Sequence, residues 1–405
     1  MKHLVIAGGG FAGFWSAMSA VRQATELGKR DMLKITLINR DEYLGLRPRF
    51  YEADLRGTRV PLGNWLAPLG IDLIIGEISS AVPASRRIRL VGGPDISYDQ
   101  LILATGSRQT YPDSVGSGHL FSADTFEESA VLDQHLRALT ATGFPTPASR
   151  TFVVVGGGLT GLEIVTALPS RLERLAPSIP GFAFHLIERA PEIGLGYAPD
   201  ARQHIVKRLQ HLGITMHTGQ DGLRHEKDRL FLAGNQQLSA ETVIIATGFT
   251  ASPLAAAFRG PRDDLVPRDN LGRLAVDAFL RLPEHPEVLA AGDVSLAKTD
   301  PDHYAVMSCQ HAMPQGRIAG HNAVSLLFNE DPIPYTQPRY RTCLDLGPGD
   351  ALVTVGWERR VKTIGPEAKA IKTEILQWIC PPADIVNTLT MAAPDQSITT
   401  SAASG

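Results

Sequence analysis

The chain writes one phrase twice: LVIAGGGFAG begins at Leu4 and FVVVGGGLTG begins at Phe152. Each is an apolar run that breaks into three glycines and then resumes with helix-forming residues. The glycines fit G-x-G-x-x-G at Gly8, Gly10 and Gly13, and again at Gly156, Gly158 and Gly161. The first glycine of such a set lets a strand turn sharply, the second lets backbone approach a pyrophosphate, and the third lets helix pack on strand. Free N–H groups at the helix start, aided by the helix dipole, then bind the diphosphate. With 38 glycines in 405 residues, random placement gives roughly 0.3 matches, and requiring four apolar residues in front lowers that to roughly 0.01. The bland alternative is two unrelated tight turns. Against it stand two matches that each open a helix and lead to a second strand.

The repeat extends beyond the glycines. HLVIAG, KITLIN, DLIIG, RRIRLV and YDQLILATG read as strands around a helix from about Phe11 to Leu27. TFVVVG, AFHLIE, ITMHT, DRLFLA and ETVIIATG repeat that order around helices at Leu159–Leu175 and ARQHIVKRLQHLG. Apolar strands separated by helices predict parallel sheets covered on both faces, an α/β class. EVLAAGDV and the helical HAMPQGRIAGHNAVSLLF follow, and DPIPYTQPRY is a proline-rich boundary. Beyond it, ALVTVGW and PEAKAIKTEILQWI predict a small C-terminal α+β segment, and the last residues are small and polar.

Composition narrows the function classes. A net charge of −3 gives no electrostatic reason to expect nucleic acid. Cys309, Cys343 and Cys380 show no metal-ligand spacing, so no metal site is expected and a reducing cytoplasm fits best. No apolar run reaches the ~18 residues of a membrane span.

An acidic side chain ending the second strand of such a unit accepts hydrogen bonds from ribose hydroxyls. In the second block that residue is Glu188, 27 positions after Gly161 (188 − 161). Its charge opposes a 2′-phosphate and favours NADH over NADPH, while Arg189 next door weakens the preference. In the first block Asn39 holds the equivalent place, 26 after Gly13 (39 − 13), followed by Arg40 and Asp41. Arg47 and Arg49 in EYLGLRPRFYEA either pair a diphosphate or face solvent.

GGGFAG, YDQLILATGS, GGGLTGLE, VIIATG and LAAGDV occur in an order that resembles two-dinucleotide flavoproteins of the pyridine nucleotide–disulfide oxidoreductase superfamily. The resemblance covers about residues 1–320 and implies two Rossmann-like dinucleotide-binding domains, one for FAD and one for NAD(P)H. It implies FAD held by Gly8, Gly10, Phe11, Ala12, Gly13, Asn39, Arg40, Arg47, Ala104, Thr105, Gly106, Gly292 and Asp293. NADH would be held by Gly156, Gly158, Leu159, Thr160, Gly161, Glu188, Arg189, Thr247 and Gly248. The implied boundaries are 1–112 and 246–330 for the FAD domain, 113–245 for an inserted NAD(P)H domain, 331–390 for the C-terminal domain and 391–405 for a disordered tail.

Within the superfamily the chain is most similar to the type II NADH dehydrogenases and apoptosis-inducing-factor-like reductases. In that likeness Glu163 is the catalytic candidate, beside nicotinamide and flavin; the bland reading makes it a helix residue satisfying backbone. CQHAMPQG resembles the family's quinone-site pattern A-Q-x-A-x-Q-E-G, which brings Gln310, His311 and Ala312 to the flavin, while Pro314 replaces the second glutamine. With no cysteine before Cys309, dithiol chemistry and sulfide oxidation are not expected. The expectation is a cytoplasmic FAD enzyme passing electrons from NADH to a quinone-like or other small acceptor. The alternatives are a ferredoxin-type reductase, a flavoprotein tailoring a small metabolite, and a redox-responsive NADH-binding protein. The sequence leaves a homodimer open. The stripe Ile364, Ala368, Ile371, Ile375, Trp378 and Ile379 leaves open a membrane contact, although packing on the chain's own core or a second subunit is favoured.

Overall fold

The duplicated phrase becomes two parallel sheets in the computed structural model, which describes residues 1–111, 119–220, 224–258 and 266–394. The first sheet has the spatial order 281–282, 285–290, 100–103, 2–7, 33–39 and 72–75. All neighbours are parallel except the short Arg281–Leu282 edge. The second sheet runs 121–122, 242–245, 151–155, 183–187 and 214–217, parallel throughout. Both put the glycine-bearing strand in the interior, with the second strand on one side and the strand closing on ATG on the other. Strands Leu4–Ala7 and Phe152–Val155 are fully or nearly fully buried, as sheets covered on both faces require. The Arg87–Leu90 and Arg229–Phe231 strands stand outside these sheets, each in the middle of a three-stranded antiparallel meander.

The chain passes from the first lobe to the second through Ser107–Gln109 and returns through Phe249–Ala251. These two strands pair antiparallel, Ser107 opposite Ala251 and Gln109 opposite Phe249. The C-terminal sheet, Arg341–Asp345, Ala351–Val355 and Arg360–Ile364, is antiparallel, and together with the helix that follows it the C-terminal segment spans both lobes. Leu344, Leu346 and Leu352 enter the core of the second lobe, while Ile375, Trp378 and Ile379 pack on that of the first. The apolar stripe of the Gly365–Trp378 helix is therefore covered by this chain. Ile364 is not in it; that residue ends a strand and is exposed. Met391 closes the Ile385–Met391 helix and Ala392 is buried in the first core, so the order extends past the expected tail boundary. Residues 395–405 and the expected boundary at 112/113 lie outside the described residues. Among the described residues no helix is long and apolar enough to cross a membrane.

Helices Phe11–Glu26 and Cys309–Leu327 pack closely because the second carries glycine at the two positions of contact. A Cβ on Gly316 would sit 2.3 Å from the Ala12 carbonyl oxygen, and one on Gly320 2.2 Å from that of Ser16. The Ser19 hydroxyl donates across the interface to the Arg317 carbonyl at 2.7 Å. Gly316→Ala forces the backbones apart and is expected to destabilise the protein by about 3 kcal/mol, the upper end for overpacking. Urea unfolding checks this against Gly63→Ala, whose added methyl meets nothing within 4 Å.

Candidate active site

The two glycine turns have matching geometry. Gly8 and Gly156 adopt φ of +106° and +111°, which L side chains rarely do. A Cβ on Gly13 would lie 1.8 Å from the Gly8 oxygen, and one on Gly161 1.8 Å from the Gly156 oxygen. Gly10 and Gly158, which precede the helices, have nothing within 4 Å of the same probe position. So each loop is closed on its protein side and open where a diphosphate would lie, with Phe11 and Ala12, or Leu159 and Thr160, opening the helix. Thr105 adds a buried hydroxyl without a partner beside the first turn. A dinucleotide fits both cradles.

Asn39 and Glu188 do the same mechanical work. Asn39 Oδ1 accepts the N–H of Gly9 at 2.9 Å, and Glu188 Oε2 that of Gly157 at 2.6 Å. Glu188 Oε1 also accepts from the Ala190 N–H at 2.7 Å. An amide carbonyl braces a glycine loop as well as a carboxylate does, which explains why the first block dispenses with the acid. Arg40 and Arg189 follow at equivalent places, both exposed.

Gly106 and Gly248 lead from their sheets into the crossing strands. The Ser252 N–H bonds the Gly106 carbonyl, the Thr110 N–H bonds that of Gly248, and the Thr247 hydroxyl donates to the Thr110 carbonyl. Ala104, Thr105, Gly106, Thr247 and Gly248 thus surround the passage between lobes. Asp293 lies there too, accepting from the Ser107 hydroxyl at 2.6 Å. Burial pushes its carboxyl above the ordinary range, although the Ser107 bond and the Arg47 charge oppose the rise. Arg47 reaches this passage, whereas Arg49 turns away to Glu52 and the Gly57 carbonyl.

Glu163, one turn into the second glycine helix, is buried and paired. Lys372 Nζ donates to its Oε1 at 2.7 Å, and the Asp345 N–H donates to the same oxygen at 3.1 Å. Lys372 is 5% exposed and also donates to the Cys343 carbonyl. Burial raises the Glu163 pKa against the pull of Lys372. For Lys372, burial works to lower the pKa, but the charge of Glu163 beside it wins and the ammonium is held above its ordinary value. Asp345 extends the cluster, taking hydrogen bonds from Tyr51 Oη at 2.8 Å and from Lys369 Nζ. The sequence marks Glu163 but not Lys372, Asp345 or Tyr51. Lys372 did leave a signal: it falls in register with Ala368, Ile375 and Ile379 on the buried face of its helix.

The first turn of Cys309–Leu327 lies against Gly292, where a Cβ would be 3.4 Å from that of Ala312. Pro314 lacks an N–H, which frees the Gln310 carbonyl from its helical partner; Gln337 Nε2 bonds it instead at 3.1 Å. Gln315 stands one position after Pro314, which replaces the motif's second glutamine. Its carbonyl accepts from the Gly292 N–H and the Ser295 hydroxyl, bracing the loop that carries Asp293. His311 is buried, its Nδ1 3.1 Å from the Val306 oxygen, with burial lowering its pKa to about 4. His303 pairs with Asp300 and stacks on Trp357. Among the described residues no cluster could hold a metal ion, and all three cysteines are free thiols.

A family model of pyridine nucleotide-disulphide oxidoreductases matches residues 2–316, from the first strand through the first turns of the last long helix. The chain belongs to this family. It is 38% identical over 379 residues to an NADH dehydrogenase-like protein of Mycobacterium tuberculosis, covering 93% of each chain. In structure it is similar to NDH2 from Plasmodium falciparum in complex with NADH, with TM-score 0.77, 13% identity, and coverage of 96% of this chain and 97% of that one. The sulfide:quinone oxidoreductase of Aquifex aeolicus superposes with TM-score 0.74 at 18% identity, covering 98% and 94% of the two chains. These structures share the fold of this chain.

Proposed function

We propose that this oxidoreductase binds FAD on the first glycine turn and NADH on the second, and passes electrons from NADH to a quinone-like or other small acceptor. The observation that carries the reading is the paired cradles, alike in backbone and joined by crossing strands, with a buried carboxylate–ammonium pair nearby. FAD, when bound, supplies a two-electron carrier that takes up hydride and releases electrons singly or in pairs. The protein's share is to hold the two nucleotides face to face, exclude water and manage protons. Glu163 and Lys372 suit the last task, because either can hold a proton in a place closed to solvent. The absence of any cysteine before Cys309 supports a reaction without a redox disulfide, and the three free thiols fit a reducing cytoplasm.

Glu188 supports NADH over NADPH. Glu188→Gln keeps a loop-bracing carbonyl and removes the charge, so the ratio of kcat/KM for NADPH to that for NADH should rise about tenfold. Steady-state kinetics with both nucleotides checks it. The reading as a whole is tested by anaerobic titration of the purified protein with NADH, followed by turnover with quinones, ferredoxin and oxygen. A yellow protein bleached by NADH and turning over fastest with quinones supports it. Turnover with ferredoxin alone favours the reductase alternative, slow turnover with every acceptor favours a redox-responsive binding protein, and a colourless protein overturns the reading.

A further inference from the structure

Arg47 makes contacts that a residue devoted to a diphosphate would not need. Its Nε donates to Asp124 Oδ1 at 2.7 Å, and its Nη2 donates to the same oxygen. Nη1 donates to the Ser107 hydroxyl at 2.8 Å and lies 3.7 Å from Asp293 Oδ2. The guanidinium also stacks over the Phe249 ring, 4.4 Å from its centroid. Asp124 is itself held in place, because its Oδ2 accepts the Gln109 N–H at 3.0 Å and its own N–H donates to Ser122 Oγ at 3.0 Å.

These partners belong to different parts of the molecule. Arg47 and Asp293 come from the first lobe. Asp124 follows the Phe121–Ser122 edge strand of the second sheet and precedes Thr125, the cap of the Phe126–Thr142 helix. Ser107 and Phe249 are the first residues of the two crossing strands, at opposite ends of the antiparallel pair. One side chain therefore grips the first lobe, both strands of the hinge and the second lobe together. Arginine suits this because its planar fork can spread donors over an acid and a hydroxyl while its face rests on an aromatic ring.

We propose that Arg47 is an interlobe latch: it fixes the angle between the lobes, and so the approach of the two nucleotide rings, as a positioning residue. The proposal rests on the reading above in one respect only, that the rings meet across this hinge. The test uses the flavin-loaded enzyme and the variants Arg47→Met and Asp124→Asn. Both should keep wild-type flavin content and show faster amide hydrogen exchange in Ser107–Gln109 and Phe249–Ala251. Flavin reduction by NADH should slow by between about tenfold and a hundredfold, the penalty for misplacing reacting groups by about an ångström. The double variant should be no worse than Arg47→Met alone, since both substitutions break the same contact.

If Arg47→Met loses its flavin while Asp124→Asn keeps flavin and wild-type exchange, Arg47 is a cofactor ligand and the latch is wrong. Wild-type exchange and reduction rates in both variants would also overturn it. If Arg47→Met fails to fold, Asp124→Asn decides alone, by the same two measurements. A wild-type protein that NADH cannot reduce overturns the functional reading instead, and hinge exchange in the variants still decides the latch.

Discussion

Lys372→Met is expected to lower stability by about 3–5 kcal/mol, the range for breaking a buried ion pair by removing one partner. The methionine fills the same space, so the loss is electrical. Glu163 is left with its charge in the core, and the Asp345 N–H is the remaining donor to the oxygen that Lys372 bonded. Its pKa, already raised by burial, rises further once the opposing ammonium is gone. The sign of the pH dependence follows. A carboxyl whose folded pKa exceeds the unfolded one binds its proton more tightly when folded, so its charged form weighs against the fold as pH rises. The variant should therefore regain stability on acidification, and its gap from wild type should narrow. In the wild type, the raised pKa of Lys372 contributes stability in full below the ordinary lysine value, and that contribution is lost as pH climbs through the raised value. Pairing Lys372→Met with Glu163→Gln removes both charges and should recover most of the loss. Urea unfolding across pH reads all of this. Equal destabilisation by the single and double variants would refute the electrostatic account.

Gly13→Ala and Gly161→Ala should each abolish one nucleotide site. The added methyl would meet a carbonyl oxygen at 1.8 Å in either loop, and neither turn can relax without moving the first turn of its helix. On the proposed assignment the outcomes differ. Gly13→Ala should purify without its yellow colour. Gly161→Ala should stay yellow but need NADH at concentrations at least about a hundredfold higher, the loss of roughly 3 kcal/mol of binding. Flavin absorbance per protein and reduction by NADH under anaerobic conditions separate them. Flavin lost from Gly161→Ala and kept by Gly13→Ala would reverse the assignment of the two turns.

What the sequence shows of this molecule follows from how far apart the interacting residues lie. Gly8 to Gly13 is one turn of chain, and its spacing alone dictates the loop, the helix and the open face. Glu188 is legible because a strand of fixed rise carries it back to the glycines. Asn39 is less so, since the acid rule overlooks that an amide carbonyl can brace the same N–H. The partners of Glu163 lie 182 and 209 residues away along the chain, so tertiary packing alone brings them together. Only the lysine on an apolar helix face hinted at burial. The loop marks Arg47 as a phosphate candidate, yet Asp124, 77 residues on, occupies its fork. Pro314 reads locally as a damaged motif; its consequence, a carbonyl released to Gln337, needs the fold to be seen.

The pairing of Gln109 with Phe249 has a genealogical meaning. Everything between those residues enters and leaves by adjoining strands about 4.8 Å apart, so the intervening stretch is a cassette with neighbouring ends. A transplanted version must preserve that doorway and also Leu344, Leu346 and Leu352 of the C-terminal segment, which complete its core, whereas the first sheet is built wholly by strands lying outside it. The duplicated glycine phrase is what ancestry by copying and splicing would leave behind.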